Sequence, residues 1–134
     1  MRMINICCGI MICLLIGSVF GCLPDVQAQT TSGALTSNET WSGDVFITGD
    51  VTVPSGITLI VEPGTSVQFI ALYDDQGGGA DASRSELIVA GSLIAEGTAD
   101  NRIVFTSSSA EPAAGDWYGI RRLTGSADIT VKFS

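Results

Sequence analysis

Histidine is missing from all 134 residues, and every cysteine (Cys7, Cys8, Cys13 and Cys22) falls within the first 22. The first absence removes the commonest general base, the commonest transition-metal ligand and the side chain that titrates near neutral pH. The second leaves the body of the chain with no disulfide and no cysteine-ligated zinc, so packing and hydrogen bonds must hold it. Positive charge is scarce as well: six Lys and Arg stand against fourteen Asp and Glu, and only Arg2 and Asp25 precede residue 29, so the body keeps the net charge of -8. No basic cluster exceeds Arg121-Arg122, which argues against nucleic acid, whose binding is driven by phosphate neutralisation. The acidity suits the solubility of an exported protein. Helical periodicity is also lacking throughout the body, which leaves an all-β reading.

The first 28 residues are built differently. Arg2 supplies one positive charge, a mainly apolar run covers 4–20, and small or turn-forming residues follow, which is the layout of a secretory signal peptide. Asn5, Gly9 and Gly17 interrupt that run and make it marginal as a permanent membrane span. Two cleavage readings compete. Val26-Gln27-Ala28 offers short side chains to the ordinary signal peptidase, with Pro24 upstream, so that 1–28 is removed after Ala28 and Gln29 opens the mature chain. Val19-Phe20-Gly21-Cys22 resembles a bacterial lipoprotein box, in which cleavage before Cys22 leaves that residue acylated and the protein tethered, at about 0.8 kcal/mol per buried methylene. Phe20 is bulky for such a box, which favours the soluble outcome. Both readings expect export: secreted or at the cell surface in the first case, lipid-anchored to the bacterial membrane in the second.

Residues 29–40 are rich in Thr, Ser and Asn and read as a polar lead-in. Trp41 then opens the ordered part, where it reads as a plug over the first apolar layer rather than as a sugar platform. From residue 45 short β-branched segments alternate with turns: Val51-Thr52-Val53, then Pro54-Ser55-Gly56, then Ile57-Thr58-Leu59-Ile60-Val61, then Glu62-Pro63-Gly64-Thr65, then Val67-Gln68-Phe69. At period two Ile57, Leu59, Val61, Val67 and Phe69 face one way, and Thr58 and Gln68 the other. A polar, glycine-rich loop occupies 74–85, a second loop 107–115, and the chain ends on the alternating segment Ile129-Thr130-Val131-Lys132-Phe133. Between the loops the pattern repeats. Leu59-Ile60-Val61-Glu62 returns as Leu93-Ile94-Ala95-Glu96, and Val67-Gln68-Phe69 is expected to match Ile103-Val104-Phe105. The offset of 34 becomes 22 once the twelve-residue loop is discounted, a spacing that stacked β-coils require.

Three strings carry a family resemblance: the run from Val51 to Thr65, the run Ile94-Ala95-Glu96-Gly97-Thr98-Ala99-Asp100-Asn101-Arg102-Ile103-Val104-Phe105, and Gly115-Asp116-Trp117-Tyr118-Gly119-Ile120. Together they resemble the N-terminal coils of secreted bacterial right-handed parallel β-helix proteins of the pectate-lyase-like type. The resemblance covers 41–134, with Arg102 where the family usually has proline and Tyr118 where it often has glycine. It implies an all-β fold of about three coils behind an N-terminal cap, incomplete at the C-terminus. Family members usually run for many more coils, so a fragment or truncated copy is expected, with further coils of a longer chain as one partner.

Three chemistries compete on these residues. Asp74, Asp75 and Asp81 around three glycines are candidate Ca²⁺ ligands, although their spacing fits neither the EF-hand nor the nonapeptide calcium repeat, and a solvated insertion is the stronger reading. Glu62 and Glu96 hold equivalent repeat positions, and Asp116 adjoins aromatics, but no catalytic constellation is visible. Trp117, Tyr118, Arg121 and Arg122 form a candidate glycan strip, against the reading that Trp117 covers a coil corner. The favoured expectation is therefore an exported, non-enzymatic structural or surface-interaction module that meets extracellular polysaccharide or cell-surface components, without a required cofactor. The alternatives are the leading part of a carbohydrate-active enzyme, a lyase or glycosidase whose catalytic coils follow, and a weak calcium-dependent binder.

Overall fold

A computed structural model describes residues 29–123 and 125–132. The expected signal peptide 1–28, with all four cysteines and the two expected cleavage points, before Cys22 and after Ala28, lies outside the described residues. Among the described residues eleven short strands follow one another without a helix: β1 (Gly33–Ala34), β2 (Glu39–Trp41), β3 (Asp44–Ile47), β4 (Val51–Val53), β5 (Thr58–Val61), β6 (Ser66–Phe69), β7 (Glu86–Val89), β8 (Ser92–Glu96), β9 (Val104–Ser107), β10 (Gly119–Arg122) and β11 (Asp128–Lys132).

No strand pairs with its neighbour in sequence. Each pairs with the strand three places on, and every pairing is parallel, which gives three sheets in the orders β1-β4-β7-β10, β2-β5-β8-β11 and β3-β6-β9. One turn of the chain thus lays a strand on each of three walls, and the next turn stacks upon it. The fold is a right-handed parallel β-helix of three full coils and two strands of a fourth. Why these residues choose coils over hairpins is visible in the turns. The Pro54 carbonyl accepts from the Ile57 N–H (3.1 Å) and the Glu62 carbonyl from the Thr65 N–H (3.2 Å), and the Ile57 and Thr65 carbonyls then accept from the Ser92 and Val104 N–H groups of the next coil rather than closing a two-strand ribbon.

Inward residues form ladders. Leu59 pairs with Leu93 and Val61 with Ala95, in the register that the 34-residue offset predicts, and all four are buried. The core also takes Trp41, Val45, Ile47, Val51, Val53, Val67, Phe69, Leu87 and Val89. Outward positions such as Thr58, Gln68 and Thr130 are half-buried, while Lys132 is exposed.

Two sequence expectations shift. Strands β1 and β2 begin inside the stretch 29–40 that composition assigns to a polar lead-in; it is the first coil, anchored by Leu35 at 2% exposure and by Trp41, whose indole N–H donates to Glu39. So short a strand needs a single inward apolar residue, which a composition average hides. The second shift is a register. Val67 pairs with Phe105 and Phe69 with Ser107, two residues later than the expected match with Ile103 and Phe105. The corner 97–103 is longer than its counterpart 62–65, and the surplus seats Ile103 in the interior next to the buried Thr65.

Candidate functional site

The two insertions, which follow β6 and β9, leave the barrel at the same corner and meet. Leu72 donates its N–H to the Asp116 carbonyl at 2.8 Å, Tyr118 donates to the Ser85 carbonyl at 2.9 Å, and the Ser85 hydroxyl donates to the Tyr73 carbonyl at 2.6 Å. These bonds set Leu72 and Tyr73 of one insertion beside Asp116, Trp117 and Tyr118 of the other. Arg84 ties them further. Its guanidinium is bound to Asp81 at 2.5 Å, donates to the Gly115 carbonyl at 3.3 Å, and lies 5.5 Å from the centre of the Tyr118 ring, within cation–π range.

The surface this makes is apolar and open. Leu72 is 67% exposed, Tyr73 51% and Tyr118 45%, and the three sit on adjoining backbone segments. Leu72 also holds a φ of +50°, in the left-handed region where a branched side chain is disfavoured. Strain of that kind costs of order 1 kcal/mol and marks a conformation imposed by its surroundings, here by the bond to Asp116.

The strip expected from Trp117, Tyr118 and Arg121 is divided by the structure. Trp117 lies flat on Phe69, centroids 4.0 Å apart at 6°, and fills the space left where Ser107 follows Phe69 on the ladder. Arg121 turns the other way, into an ion pair with the fully buried Glu86. Tyr118 alone remains available to a ligand, and Arg122 donates to the Gly125 carbonyl at 2.7 Å. The missing partners are Tyr73, Leu72 and Arg84. Nothing in the sequence spacing joins 72–73 to 118, since the coil between them closes only in three dimensions.

The three loop aspartates do not converge. Asp74 accepts from the backbone N–H groups of Asp50, Gln76 and Gly78, at 2.9, 2.9 and 3.0 Å. Asp75 accepts from the Thr48 hydroxyl and the Gln76 amide, which hold its carboxyl below the usual range. Asp81 accepts from the Ser83 hydroxyl and N–H and from Arg84, which bring it down to about 2. Each therefore organises its own turn, and among the described residues no group of three or more Asp, Glu, His or Cys is arranged to hold a metal ion. Asp116 likewise accepts from the Ala113 N–H, which with Ser107 lowers its carboxyl and makes it a poor base. Glu62, at an exposed turn, and Glu96, the exposed last residue of β8, lie on neighbouring coils, and Glu96 pairs with Lys132 at 2.9 Å.

A second, covered cluster was not anticipated from spacing. Val51, Val53, Leu87 and Val89 point inward, so Asp50, Glu86, Ile88 and Arg121 occupy the outer face of the first sheet. That face should be wet, yet β7 is buried at all four positions. The insertion 74–85 covers it: Ala80 donates to Glu86 at 2.7 Å, and Asp74 accepts from Asp50. Asp50 in turn accepts from the Glu86 N–H at 3.0 Å.

A family model described as a pectate-lyase-like beta helix domain matches residues 31–132, which takes in every strand. The chain belongs to that pectate-lyase-like β-helix family. Comparison with curated proteins and with solved structures finds no match. The three walls repeat from coil to coil, so the surface built by the two insertions is where this chain departs from a plain coil stack.

Proposed function

We propose that this β-helix is an exported, non-catalytic binding module that holds saccharide on the surface made by Tyr73, Tyr118 and Leu72. The observation that carries the reading is the pair of half-exposed tyrosines on hydrogen-bonded neighbouring segments, with Arg84 fixed between Asp81 and the Tyr118 ring. Sugar rings stack on aromatic faces, and a guanidinium beside them serves hydroxyls or uronate carboxylates. The leader 1–28 supports export, to the medium or the cell surface. Membership of the pectate-lyase-like family supports a second reading, the leading coils of a carbohydrate-active enzyme.

Affinity electrophoresis through gels containing neutral or uronate polysaccharide tests both readings. Retardation is expected with at least one polymer, and Tyr118→Ala should weaken it about tenfold, the equivalent of one lost stacking contact near 1.4 kcal/mol. Tyr73→Ala should do the same. If the variants migrate as the parent does, the surface is not the binding site; release of unsaturated or reducing ends from the polymer by a longer chain that carries following coils, and not by this one, would favour the enzyme reading.

A further inference from the structure

The buried cluster on the outer face of the first sheet has more acid than base. Among the described residues Asp50, ahead of β4, Glu86, opening β7, and Asp74, from the insertion, face a single cation, Arg121 of β10. The other acids of the insertion turn elsewhere, Asp75 to Thr48 and Asp81 to Arg84. Arg121 is committed to Glu86 and Asp74 is satisfied by three N–H groups, so the unbalanced group is Asp50. Asp50 is only 4% exposed, and its Oδ2 is buried with no hydrogen-bond partner among the described residues. That oxygen points at the backbone of Gly79, where an added Cβ would lie 2.5 Å from it and 2.6 Å from Glu86 Oε1. A bare carboxylate oxygen in such a place is costly, and neutralisation by a proton is the ordinary remedy.

We propose that Asp50 carries a proton that latches the insertion 74–85 over the outer face of the first sheet, and that losing this proton loosens the insertion. The geometry gives the coupling. Gly79 and Ala80 pack directly on the two carboxyl groups, and the same segment supplies the N–H that Glu86 accepts. With Asp50 ionised, the oxygens of Asp50 and Glu86 repel across the Gly79 backbone, and the repulsion is relieved when the insertion lifts and water enters.

The direction in pH follows from linkage. Burial first, then the charges of Asp74 and Glu86, raise Asp50 to about 6 in the folded protein, against the Glu86 N–H and Arg121, which act the other way. In the lifted state its carboxyl returns to roughly 3.9. The closed state thus binds the proton more tightly, so closure is complete below about pH 4 and weakens by about tenfold per pH unit up to about pH 6, then levels off. Asp75 and Asp81 are shifted downward, so their contribution is lost as pH falls below their ordinary range, outside this window.

Amide hydrogen exchange of the full chain, corrected for intrinsic rates, reads the latch at Ala80 and Glu86. Protection is expected to fall by more than tenfold between pH 4.5 and pH 6.5, and Asp50→Asn, which keeps an acceptor for Glu86 and replaces the proton-bearing oxygen with an amide, should be flat over that range. A flat wild-type profile, or the same decline in Asp50→Asn, overturns the proposal. So does full recovery of protection at pH 7 on adding millimolar CaCl₂, which would make a cation the occupant. Should the variant not fold, the carboxyl ¹³C shift of Asp50 in the wild type decides: a midpoint near 6 supports the latch and one near 4 removes it.

Discussion

Gly91→Ala is expected to destabilise the domain by about 3 kcal/mol, toward the upper end for overpacking, because what it would strike cannot move. The corner between β7 and β8 is only two residues, Ala90 and Gly91, whereas the corresponding corner of the coil before it spans 54–57. The short corner nests inside the long one. A Cβ on Gly91 would fall well inside 3.0 Å of both the Pro54 and Ile57 carbonyl oxygens, and 3.2 Å from the Ile57 nitrogen. All three are backbone, fixed by the Ile57 to Pro54 turn bond and by the bonds that Gly91 and Ser92 donate to Val53 and Ile57. Relief means separating two coils, and with it the Ser92 to Ile57 bond at the start of the β5–β8 ladder. For a domain of this size about 3 kcal/mol corresponds to a fall of more than 12 °C in the melting midpoint. Gly56→Ala is the control. Its φ is +85° but nothing lies within 4 Å of the added carbon, so the penalty is only the left-handed conformation, about 1 kcal/mol. Thermal melts that rank the two equally would show that close approach of the coils does not limit this corner.

The ladders were legible because a stacked coil repeats its chemistry where its geometry repeats. Leu59 and Leu93 share a wall, a depth and a neighbour set, so the same residue type recurs, and counting gives the register. Counting fails where corners differ in length. The third wall slipped by two residues because the corner 97–103 takes in Ile103 as an interior residue, and an apolar Ile-Val-Phe run looks like a strand whether or not its first residue belongs to the corner. The first coil was hidden for a different reason: Leu35 and Trp41 are the apolar residues that carry it, amid threonine, serine and asparagine that read as disorder.

The candidate site was half legible. Tyr118 follows from its string, but Tyr73 reaches it across more than forty residues through two insertions, and no periodicity links them. Arg121 is the instructive case. On sequence it stands next to aromatics and reads as part of a sugar strip; in the fold the alternation of β10 sends it to the outer face of the first sheet, where a buried acid waits. That acid could not be found by pattern, since Glu86 opens an apolar strand directly after a polar loop, and an outward position on an exposed wall is where a solvated glutamate belongs. Only the fold-back of 74–85 makes it buried.

Arg121→Ala should therefore act on stability and leave saccharide binding in place, the reverse of what its sequence neighbours suggest. Glu86 has no exposed side-chain surface, and its two oxygens are divided between the Ala80 N–H and the Arg121 guanidinium. Removing the guanidinium strands one carboxylate oxygen in a site already crowded by Asp50, and breaking a buried pair from one side costs about 3 kcal/mol. The guanidinium is itself about a third exposed, so water entering at its vacated place should hold the loss toward the lower end of that range. Replacing both partners separates the charge from the shape. Glu86→Gln with Arg121→Met keeps the volume, keeps an acceptor for Ala80 and leaves no unpaired ion, so the double variant should recover at least half of the single variant's loss. Urea midpoints for the parent, Arg121→Ala and the double variant measure this directly. An Arg121→Ala protein as stable as its parent would mean that the buried glutamate does not depend on its partner, and a selective loss of polysaccharide retardation at unchanged stability would return Arg121 to the binding surface.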